Sequence, residues 1–123
     1  MKFLVTVTPR QVAPMPPGAI AELLSAQRDW LKQKLEDGTL DCAYGFIGGG
    51  GVGIANADSI EEMHALLVQS PGFPIGDNEV RPLGDFDETV EAGIVALRRV
   101  ASMMPGRRAN AAADAATPQG GSS

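Results

Sequence analysis

The chain of 123 residues carries ten basic and fifteen acidic side chains, which gives it a formal net charge of -5. A chain of this length fits one domain with a modest core. The charges are spread along the sequence rather than gathered in a block, so they indicate solubility. The nearest approach to a basic patch is Arg107 and Arg108, a pair too small to follow a phosphate backbone. We therefore expect no nucleic-acid partner.

Cys42 and His64 are the single cysteine and the single histidine. A lone thiol cannot form an internal disulfide, and a zinc site would need carboxylates for its remaining ligands. We therefore expect no metal. The N-terminal segment is too short in its apolar part for a signal peptide, and no stretch approaches membrane-spanning length. These features predict a cytoplasmic protein without a membrane partner.

Residue periodicity and turn signals predict four strands and three helices. In chain order they are a strand over 2–8, a helix over 18–37, a strand over 40–47, a strand over 52–55, a helix from Asp58 or Ser59 to Ser70, a strand over 78–84 and a helix over 87–103. Prolines make residues 9–17 and 71–77 irregular. From Pro105 onward the composition is Ala, Gly, Ser, Thr, Pro and Arg without periodicity, which predicts a domain over 1–104 and a disordered tail over 105–123.

Each predicted helix has one apolar stripe at helical spacing, which indicates one buried face. In the first helix the stripe is Ile20, Leu23, Leu24, Leu31 and Leu35. In the second helix it is Ile60, Met63, His64 and Leu67. In the third helix, for which Asp87 is the predicted N-cap, it is Val90, Ile94, Leu97 and Val100 or Ala101.

Four consecutive glycines, Gly48 to Gly51, separate the second and third strands. A phosphate-binding loop would need a helix directly after the glycines, together with a Lys followed by Ser or Thr. A strand follows instead. The run therefore predicts a tight hairpin turn whose backbone takes positive φ.

The order β-α-β-β-α-β with an extra C-terminal helix predicts an α+β fold of the ferredoxin-like kind. The second strand has apolar residues on both sides, with Leu40, Cys42, Tyr44 and Phe46 on one and Ala43 and Ile47 on the other. Two helices cover only one face of such a sheet, so the second face calls for a partner sheet. We therefore expect a homodimer, an α+β barrel of two sheets, or a higher homo-oligomer.

Three stretches resemble the muconolactone Δ-isomerase family. The first is the opening strand with its Pro-rich loop and a long helix that ends at Leu35-Glu36-Asp37-Gly38-Thr39. The second is Glu62-Met63-His64-Ala65-Leu66-Leu67, which is similar to the family's Leu-His-x-x-Leu run. The third is Ser70-Pro71-Gly72-Phe73-Pro74 followed by Glu79-Val80-Arg81-Pro82-Leu83. The resemblance covers about residues 1–87.

The resemblance implies a dimeric α+β barrel without a cofactor, and an enzyme that moves a proton between carbons of a small unsaturated lactone. Such chemistry needs a base near the carbon acid and a donor to the developing enolate oxygen. The family has acidic residues in the middle of the first helix, where this chain has Gln27 and Arg28. It has a His-x-Trp-Arg-like run in the second strand, where this chain has Cys42-Ala43-Tyr44-Gly45. The chain therefore departs from the family where reactive groups are expected.

Three residues are candidate catalytic groups. His64 is the best single candidate for a general base, because histidine titrates nearest to neutral pH, although a lone histidine on an apolar stripe is also typical of a core. Asp41, predicted on the strand face opposite Tyr44, is the second candidate base. Tyr44, the only tyrosine, could donate to an oxyanion or belong to the core.

Six further residues are candidate contacts to a small-molecule substrate: Gln27, Arg28, Trp30, Cys42, Phe46 and Phe73. Gln27 lies on the apolar stripe of the first helix, where it could line a pocket or bond to the backbone at the seam between helix and sheet. Phe73 could close a cavity as a lid or simply pin its loop. Glu79 and Arg81 share a strand face and could pair with each other or across a dimer.

Our leading hypothesis is a cofactor-independent isomerase-like enzyme that transfers a proton on a small unsaturated lactone or carbonyl compound, bound between the sheet and the first two helices. His64 or Asp41 would be the base, with Tyr44 and Gln27 as donors. Related barrels also oxygenate or cyclise aromatic and polyketide substrates without a cofactor, which is the second enzymatic interpretation. The alternative from another class is a non-catalytic dimeric ligand-binding module.

Overall fold

The structure, a computed structural model, describes residues 1–10 and 14–104. Its elements are β1 (Lys2–Pro9), α1 (Pro17–Glu36), β2 (Leu40–Gly45), β3 (Gly51–Asn56), α2 (Ile60–Gln69), a 3-10 turn (Phe73–Ile75), β4 (Gly76–Leu83) and α3 (Phe86–Ser102). The predicted α+β class and the β-α-β-β-α-β order with a third helix are confirmed. The predicted tail over 105–123 lies outside the described residues, and the domain boundary at residue 104 stays a prediction.

The four strands form one antiparallel sheet in the order β2-β3-β1-β4, so β2 and β4 are its edges. α1 and α2 lie on one face. The buried core on that face consists of Phe3, Val5, Leu40, Ala55, Ala57 and Met63, and Leu31, Leu66, Leu67, Val7 and Val80 pack against it. The chain divides into two compact units, of which the first ends at Leu83 and the second contains α3.

The ends of the elements follow from local chemistry. Gly38, with φ of +83°, ends α1, because glycine enters the left-handed region without steric cost. The Ser59 hydroxyl accepts a hydrogen bond from the Glu62 amide and caps α2. The N-cap predicted for α3 is wrong: the Asp85 carboxylate accepts from the Glu88 amide at 3.0 Å, so α3 begins at Phe86 and Asp87 lies in its first turn.

The hairpin between β2 and β3 confirms the predicted glycine turn. Gly48, Gly49 and Gly50 all have positive φ. A Cβ at Gly50 would lie 2.2 Å from the carbonyl oxygen of Val7, so this glycine also allows the hairpin to approach β1. β2 ends at Gly45, two residues earlier than predicted, because Phe46 already belongs to the turn, where its amide donates to Gly50 O.

A β-bulge at Asp41 changes the faces predicted for β2. Leu40 pairs with Ala55, whereas Cys42 pairs with Ile54, so the extra residue reverses the alternation. Leu40 therefore lies on the helix-covered face and is buried, while Cys42 and Tyr44 lie on the opposite face. The prediction that Leu40 shares a face with Tyr44 is wrong, because a bulge is not visible in period-2 alternation.

We call the sheet face that α1 and α2 leave uncovered the open face. By strand register it carries Lys2, Leu4, Thr6, Cys42, Tyr44, Val52, Ile54, Asn56, Glu79, Arg81 and Leu83. Its centre is apolar and its margins are charged. Arg81 lies 3.9 Å from Glu79 on the same strand, so the predicted pairing of these two residues occurs within one chain.

Two of the predicted helix stripes are buried only in part. In α1, Ile20, Leu23 and Leu31 are half-buried, but Leu24 and Leu35 are 55% and 39% exposed. In α2, Met63 is fully buried and Leu66 and Leu67 are half-buried. The prediction that Ile60 and His64 face the core is wrong for the single chain, because the inner face of α2 is centred on Met63 and Leu66, about 100° away around the helix.

Candidate functional site

The structure distributes the predicted site residues over three places. On the helix side of the sheet, Gln27 contacts the segment that leads into Phe73, and Trp30 is half-buried one turn along α1 from Gln27. Asp41, Cys42 and Tyr44 lie along β2 and its open face, and Phe46 follows in the hairpin turn. Arg28 and His64 are exposed on the helices. Within one chain, the three catalytic candidates His64, Tyr44 and Asp41 therefore do not converge.

Gln27 is the best-positioned polar side chain on the helix side. Its Oε1 accepts a hydrogen bond of 2.6 Å from the Ser70 hydroxyl and another of 2.8 Å from the Gly72 amide. Both donors belong to the segment that leaves α2, and the Gly72 amide can only donate, which identifies the carboxamide oxygen. Nε2 therefore points away from this turn, and no described residue accepts a hydrogen bond from it. Gln27 is a seam residue whose amide donors remain available.

Phe73 is held next to this contact. Its amide donates to Ser70 O at 3.0 Å, and the 3-10 turn that it begins leads directly into β4. A Cβ added at Gly72 would lie 3.1 Å from the carboxamide of Gln27, so the turn packs tightly on α1. The half-buried Phe73 ring is thus anchored at the entrance of β4 by Gln27 acting through Ser70 and Gly72.

On the helix-covered face of the sheet, the positions nearest the glycine hairpin are glycines and have no side chain. At the far end, Phe3, Leu40 and Ala55 are buried, whereas at the hairpin end the paired residues are Gly45 and Gly51. A Cβ at Gly51 would lie 2.6 Å from Tyr44 O and one at Gly53 would lie 2.8 Å from Cys42 O.

Close approach of the β2 backbone therefore requires glycine at both β3 positions. A Cβ at Gly45 would meet only Gly50 O, at 4.0 Å.

Asp41 belongs to a polar network at the edge of the open face. Its carboxylate accepts hydrogen bonds from Lys2 Nζ and, at 2.8 Å, from Asn56 Nδ2. Asn56 also donates to Gly38 O, which ties the end of α1 to the sheet. The hydrogen bonds from Lys2 and then Asn56 lower the pKa of Asp41 below its ordinary value. Lys2 and Asn56 lie on the open face, as Tyr44 does. Because the bulge brings Asp41 to these two residues, the prediction that Asp41 lies on the strand face away from Tyr44 is wrong.

The remaining candidates lie at accessible positions of the single chain. Tyr44 is 70% exposed opposite Val52, and Cys42 is half-buried opposite Ile54. The ring of Trp30 is half-buried, with Lys34 Nζ 5.6 Å from its centroid. In the described residues no group of three or more His, Cys, Asp or Glu side chains could hold a metal ion.

Sequence reasoning missed Ser70, Gly72, Lys2 and Asn56 as partners of the candidate residues. Ser70 and Gly72 belong to the Ser-Pro-Gly-Phe-Pro run, so the sequence marked this segment as notable. It did not indicate the contact with Gln27, because Gln27 lies 43 residues before Ser70 along the chain. Lys2 and Asn56 are ordinary strand residues, and only the register of β1 with β3 brings them to Asp41.

Comparison with known proteins agrees with this architecture. The profile of the muconolactone delta-isomerase family matches residues 1–89. A crystal structure of muconolactone isomerase superposes with a TM-score of 0.62 and 26% sequence identity, over 69% of this chain and 90% of that one. No curated protein matches the chain in sequence. No helix in the described ranges is both long and apolar enough to cross a membrane.

A second solved structure shows the same fold. It is 5-chloro-2-hydroxyhydroquinone dehydrochlorinase from Burkholderia phenoliruptrix in complex with 2,5-dihydroxybenzoquinone, with a TM-score of 0.53 and 17% identity over 72% of this chain and 98% of that one. The family profile spans most of the chain, from β1 through β4 and into the beginning of α3. The chain therefore belongs to the muconolactone delta-isomerase family.

Proposed function

We propose that this protein is a cofactor-independent enzyme that transfers a proton on a small unsaturated lactone or carbonyl compound, bound between the sheet and the first two helices. The proposal is supported by membership in the muconolactone delta-isomerase family and by the orientation of one side chain. That side chain is Gln27, whose amide donors face away from the turn that holds its oxygen.

Gln27 is suited to stabilise the substrate oxygen on which negative charge develops during the reaction. When a base removes a proton from the carbon next to a carbonyl group, negative charge develops on the carbonyl oxygen. A donor that is already oriented stabilises this charge without reorganising during the reaction. Gln27 is oriented before substrate binds, because Ser70 and Gly72 hold its Oε1. Its Nε2 would donate to the enolate oxygen.

The proton balance of the step is simple. The base takes a proton from one carbon, the double bond shifts as the enolate forms, and the same proton or one from solvent is added to another carbon. No electrons are gained or lost. Of the two candidate bases, His64 is favoured over Asp41, because the ion pair with Lys2 lowers the pKa of Asp41 and so weakens it as a proton acceptor.

The assembly that we propose is a homodimer in which two open faces pack together, or a larger homo-oligomer. Tyr44 is 70% exposed on the open face, and Val52 and Ile54 lie beside it on β3. An apolar sheet centre of this kind is covered in a stable protein. In such a dimer Tyr44, Cys42 and Asp41 would lie at the subunit interface.

Substitution of Gln27 tests the proposal because Glu keeps the acceptor and removes the donor. In the Gln27→Glu variant the carboxylate still accepts from Ser70 and Gly72, so the fold and the turn are retained. We expect turnover of an unsaturated lactone to fall by about 100-fold, the usual effect of losing one oxyanion donor. Gln33→Glu is the matched control, since Gln33 lies exposed on the same helix. Equal turnover in both variants and the wild type would exclude the donor role.

A second candidate function is a non-catalytic ligand-binding module. It is favoured by the finding that His64 is exposed on α2, whereas Tyr44 and Asp41 lie on β2 at the open face, so the three do not converge. The same variant separates the two candidates, because the family has acidic residues where this chain has Gln27 and Arg28. If the wild type binds lactones without turnover and Gln27→Glu gains turnover, the chain is a binding module that has lost its acid.

A further inference from the structure

In the sheet that the structure describes, Asn78 is the only residue with a polar side chain on the helix-covered face. On β4 it alternates with Gly76 and Val80, whereas the charged residues Asp77 and Glu79 lie on the other face. By strand register the remaining positions of the helix-covered face are Phe3, Val5, Val7, Pro9, Leu40, Ala43, Gly45, Gly51, Gly53, Ala55 and Pro82. A half-buried carboxamide in such apolar surroundings needs hydrogen-bond partners.

The fold uses only part of the hydrogen-bonding capacity of Asn78. Its Nδ2 donates to Gly76 O at 3.3 Å, which is a long contact within the same strand. A carbonyl oxygen can only accept, so this contact identifies Nδ2 and leaves Oδ1 as the acceptor. Among residues 1–10 and 14–104 no group donates to Oδ1. Asn78 therefore presents a carboxamide oxygen that the described chain leaves without a donor.

The turn from Gly72 to Gly76 lies between Asn78 and Gln27. A Cβ at Gly72 would lie 3.1 Å from the carboxamide of Gln27, and one at Gly76 would lie 3.7 Å from Gly72 O and 2.7 Å from Val7 Cγ1. The turn is therefore packed between α1 and the sheet. All of these residues belong to the compact unit that ends at Leu83. The two carboxamides thus border the same turn, Gln27 from the helix and Asn78 from the sheet.

The residues level with Asn78 on the helix-covered face have no polar side chain. Val7 pairs with Asn78 on one side and with Gly51 on the other, and Gly51 pairs with Gly45. Val7 is thus the only other side chain in this row of the sheet, and it has no hydrogen-bond donor. The donor to Asn78 Oδ1 must therefore come from a molecule that enters between the sheet and the helices.

The chemistry of this oxygen selects the group that binds. Oδ1 can only accept, so a carbonyl or carboxylate oxygen of a ligand cannot satisfy it. Of the polar groups that small lactones and carbonyl compounds carry, a hydroxyl group does so, because it donates. Gln27 offers the opposite, an amide donor that suits a carbonyl oxygen. The two residues therefore recognise different groups.

We propose that Asn78 is a specificity residue that accepts a hydrogen bond from a hydroxyl group of the substrate, while Gln27 donates to its carbonyl oxygen. The substrate class is then a hydroxylated unsaturated lactone or carbonyl compound. This inference rests on the function proposed above, since it places the substrate between the sheet and the first two helices. Asn78 binds the substrate and takes no part in the proton transfer.

Two butenolides that differ by one hydroxyl group test the role of Asn78. Both have a β,γ double bond, and one carries a methyl group where the other carries a hydroxymethyl group. Titration calorimetry with the full chain measures their affinities. We expect the wild type to bind the hydroxymethyl compound about 10-fold more tightly, the usual effect of one hydrogen bond. Asn78→Leu is expected to remove this preference, and Gln33→Leu, an exposed amide on α1, is the matched control that keeps it.

A second variant, Asn78→Val, guards against misfolding, because a β-branched residue suits a strand. Circular dichroism shows which variants keep the fold. Equal affinities in the wild type would overturn the proposal, as would no binding of the hydroxymethyl compound or a preference that survives in a folded Asn78 variant.

Turnover separates this proposal from the proposed function. It is followed by the shift of the double bond in the same two butenolides. Turnover of both compounds with equal affinities would retain the enzyme and reject the role of Asn78. A preference for the hydroxymethyl compound that Asn78→Leu removes, without turnover of either compound, would retain the role of Asn78 in binding and reject the enzyme.

Discussion

The carboxamide oxygen of Gln27 accepts a hydrogen bond of 2.6 Å from the hydroxyl of Ser70, which joins the middle of α1 to the end of α2. The Gly72 amide donates to the same oxygen. One side chain thus fixes the segment that carries Phe73 and starts β4. Two consequences follow, one for stability and one for the direction of the free amide group.

Gln27→Leu is expected to destabilise the fold by about 1–3 kcal/mol, because it leaves the half-buried Ser70 hydroxyl and Gly72 amide without their acceptor. Ser70→Ala removes one donor only and is expected to cost about 1 kcal/mol. Urea unfolding followed by circular dichroism measures both. Gln33→Leu is the control, since its side chain is exposed on the same helix. If Gln27→Leu were as stable as Gln33→Leu, the contact would have no structural role.

The sequence predicted every strand and helix of this fold because each has a clear period and clear ends. Glycine at 38 and 48–50 and proline at 9 and 71 mark turns by their own backbone chemistry, without reference to distant residues. The bulge at Asp41 was not predictable in the same way. It depends on β2 pairing with β3, and one extra residue reverses the faces of Leu40 and Cys42.

The site was less predictable than the fold. Gln27 was identifiable because a polar residue on an apolar stripe must find hydrogen-bond partners. Of the two predicted roles, lining a pocket or bonding at the seam of the helix, the structure shows the bond at the seam, to Ser70 and Gly72. His64 was misplaced because Ile60, His64 and Leu67 share a helical spacing with Met63, and spacing alone does not say which side of α2 faces the sheet. Packing of Met63 against Phe3 and Ala55 decides that.

The network at Asp41 is expected to make the free energy of unfolding decrease as the pH falls in the acidic range. Its pKa is lowered by Lys2 and Asn56 in the folded chain, so the folded state favours the ionised carboxylate. That contribution is fully present above the unfolded pKa of about 3.9 and is lost as the pH falls through the lower folded pKa.

Urea unfolding of wild type and Asp41→Asn at a series of pH values between about 5 and 2 checks this expectation. The wild type should lose stability more steeply on acidification than Asp41→Asn, and Asp58→Asn should follow the wild type. Parallel curves for wild type and Asp41→Asn would show that the ion pair with Lys2 does not form in solution.

The glycine hairpin provides a matched pair of alanine substitutions. Gly48 and Gly50 both have positive φ, but a Cβ at Gly48 meets nothing within 4 Å, whereas one at Gly50 lies 2.2 Å from Val7 O. Gly48→Ala is expected to cost about 1 kcal/mol for the backbone strain alone. Gly50→Ala is expected to cost clearly more, because the hairpin must also move away from β1. Thermal unfolding measures the difference, and equal costs would contradict the close approach.

His64→Ala separates a catalytic role from a structural one. Because His64 is exposed on α2, its loss is expected to change the free energy of unfolding by no more than about 0.5 kcal/mol. If His64 is the base, turnover should fall by about 100-fold or more. Unchanged turnover would remove His64 from the mechanism.

The most direct test of the proposed proton transfer is proton NMR of an unsaturated lactone such as muconolactone, incubated in D₂O with the wild type, Gln27→Glu or Gln33→Glu. We predict that the wild type and Gln33→Glu shift the double bond, with loss of the proton signal at the carbon that exchanges. We predict that Gln27→Glu does so about 100-fold more slowly. A wild type that binds lactones but neither shifts the double bond nor exchanges a carbon-bound proton would contradict the account.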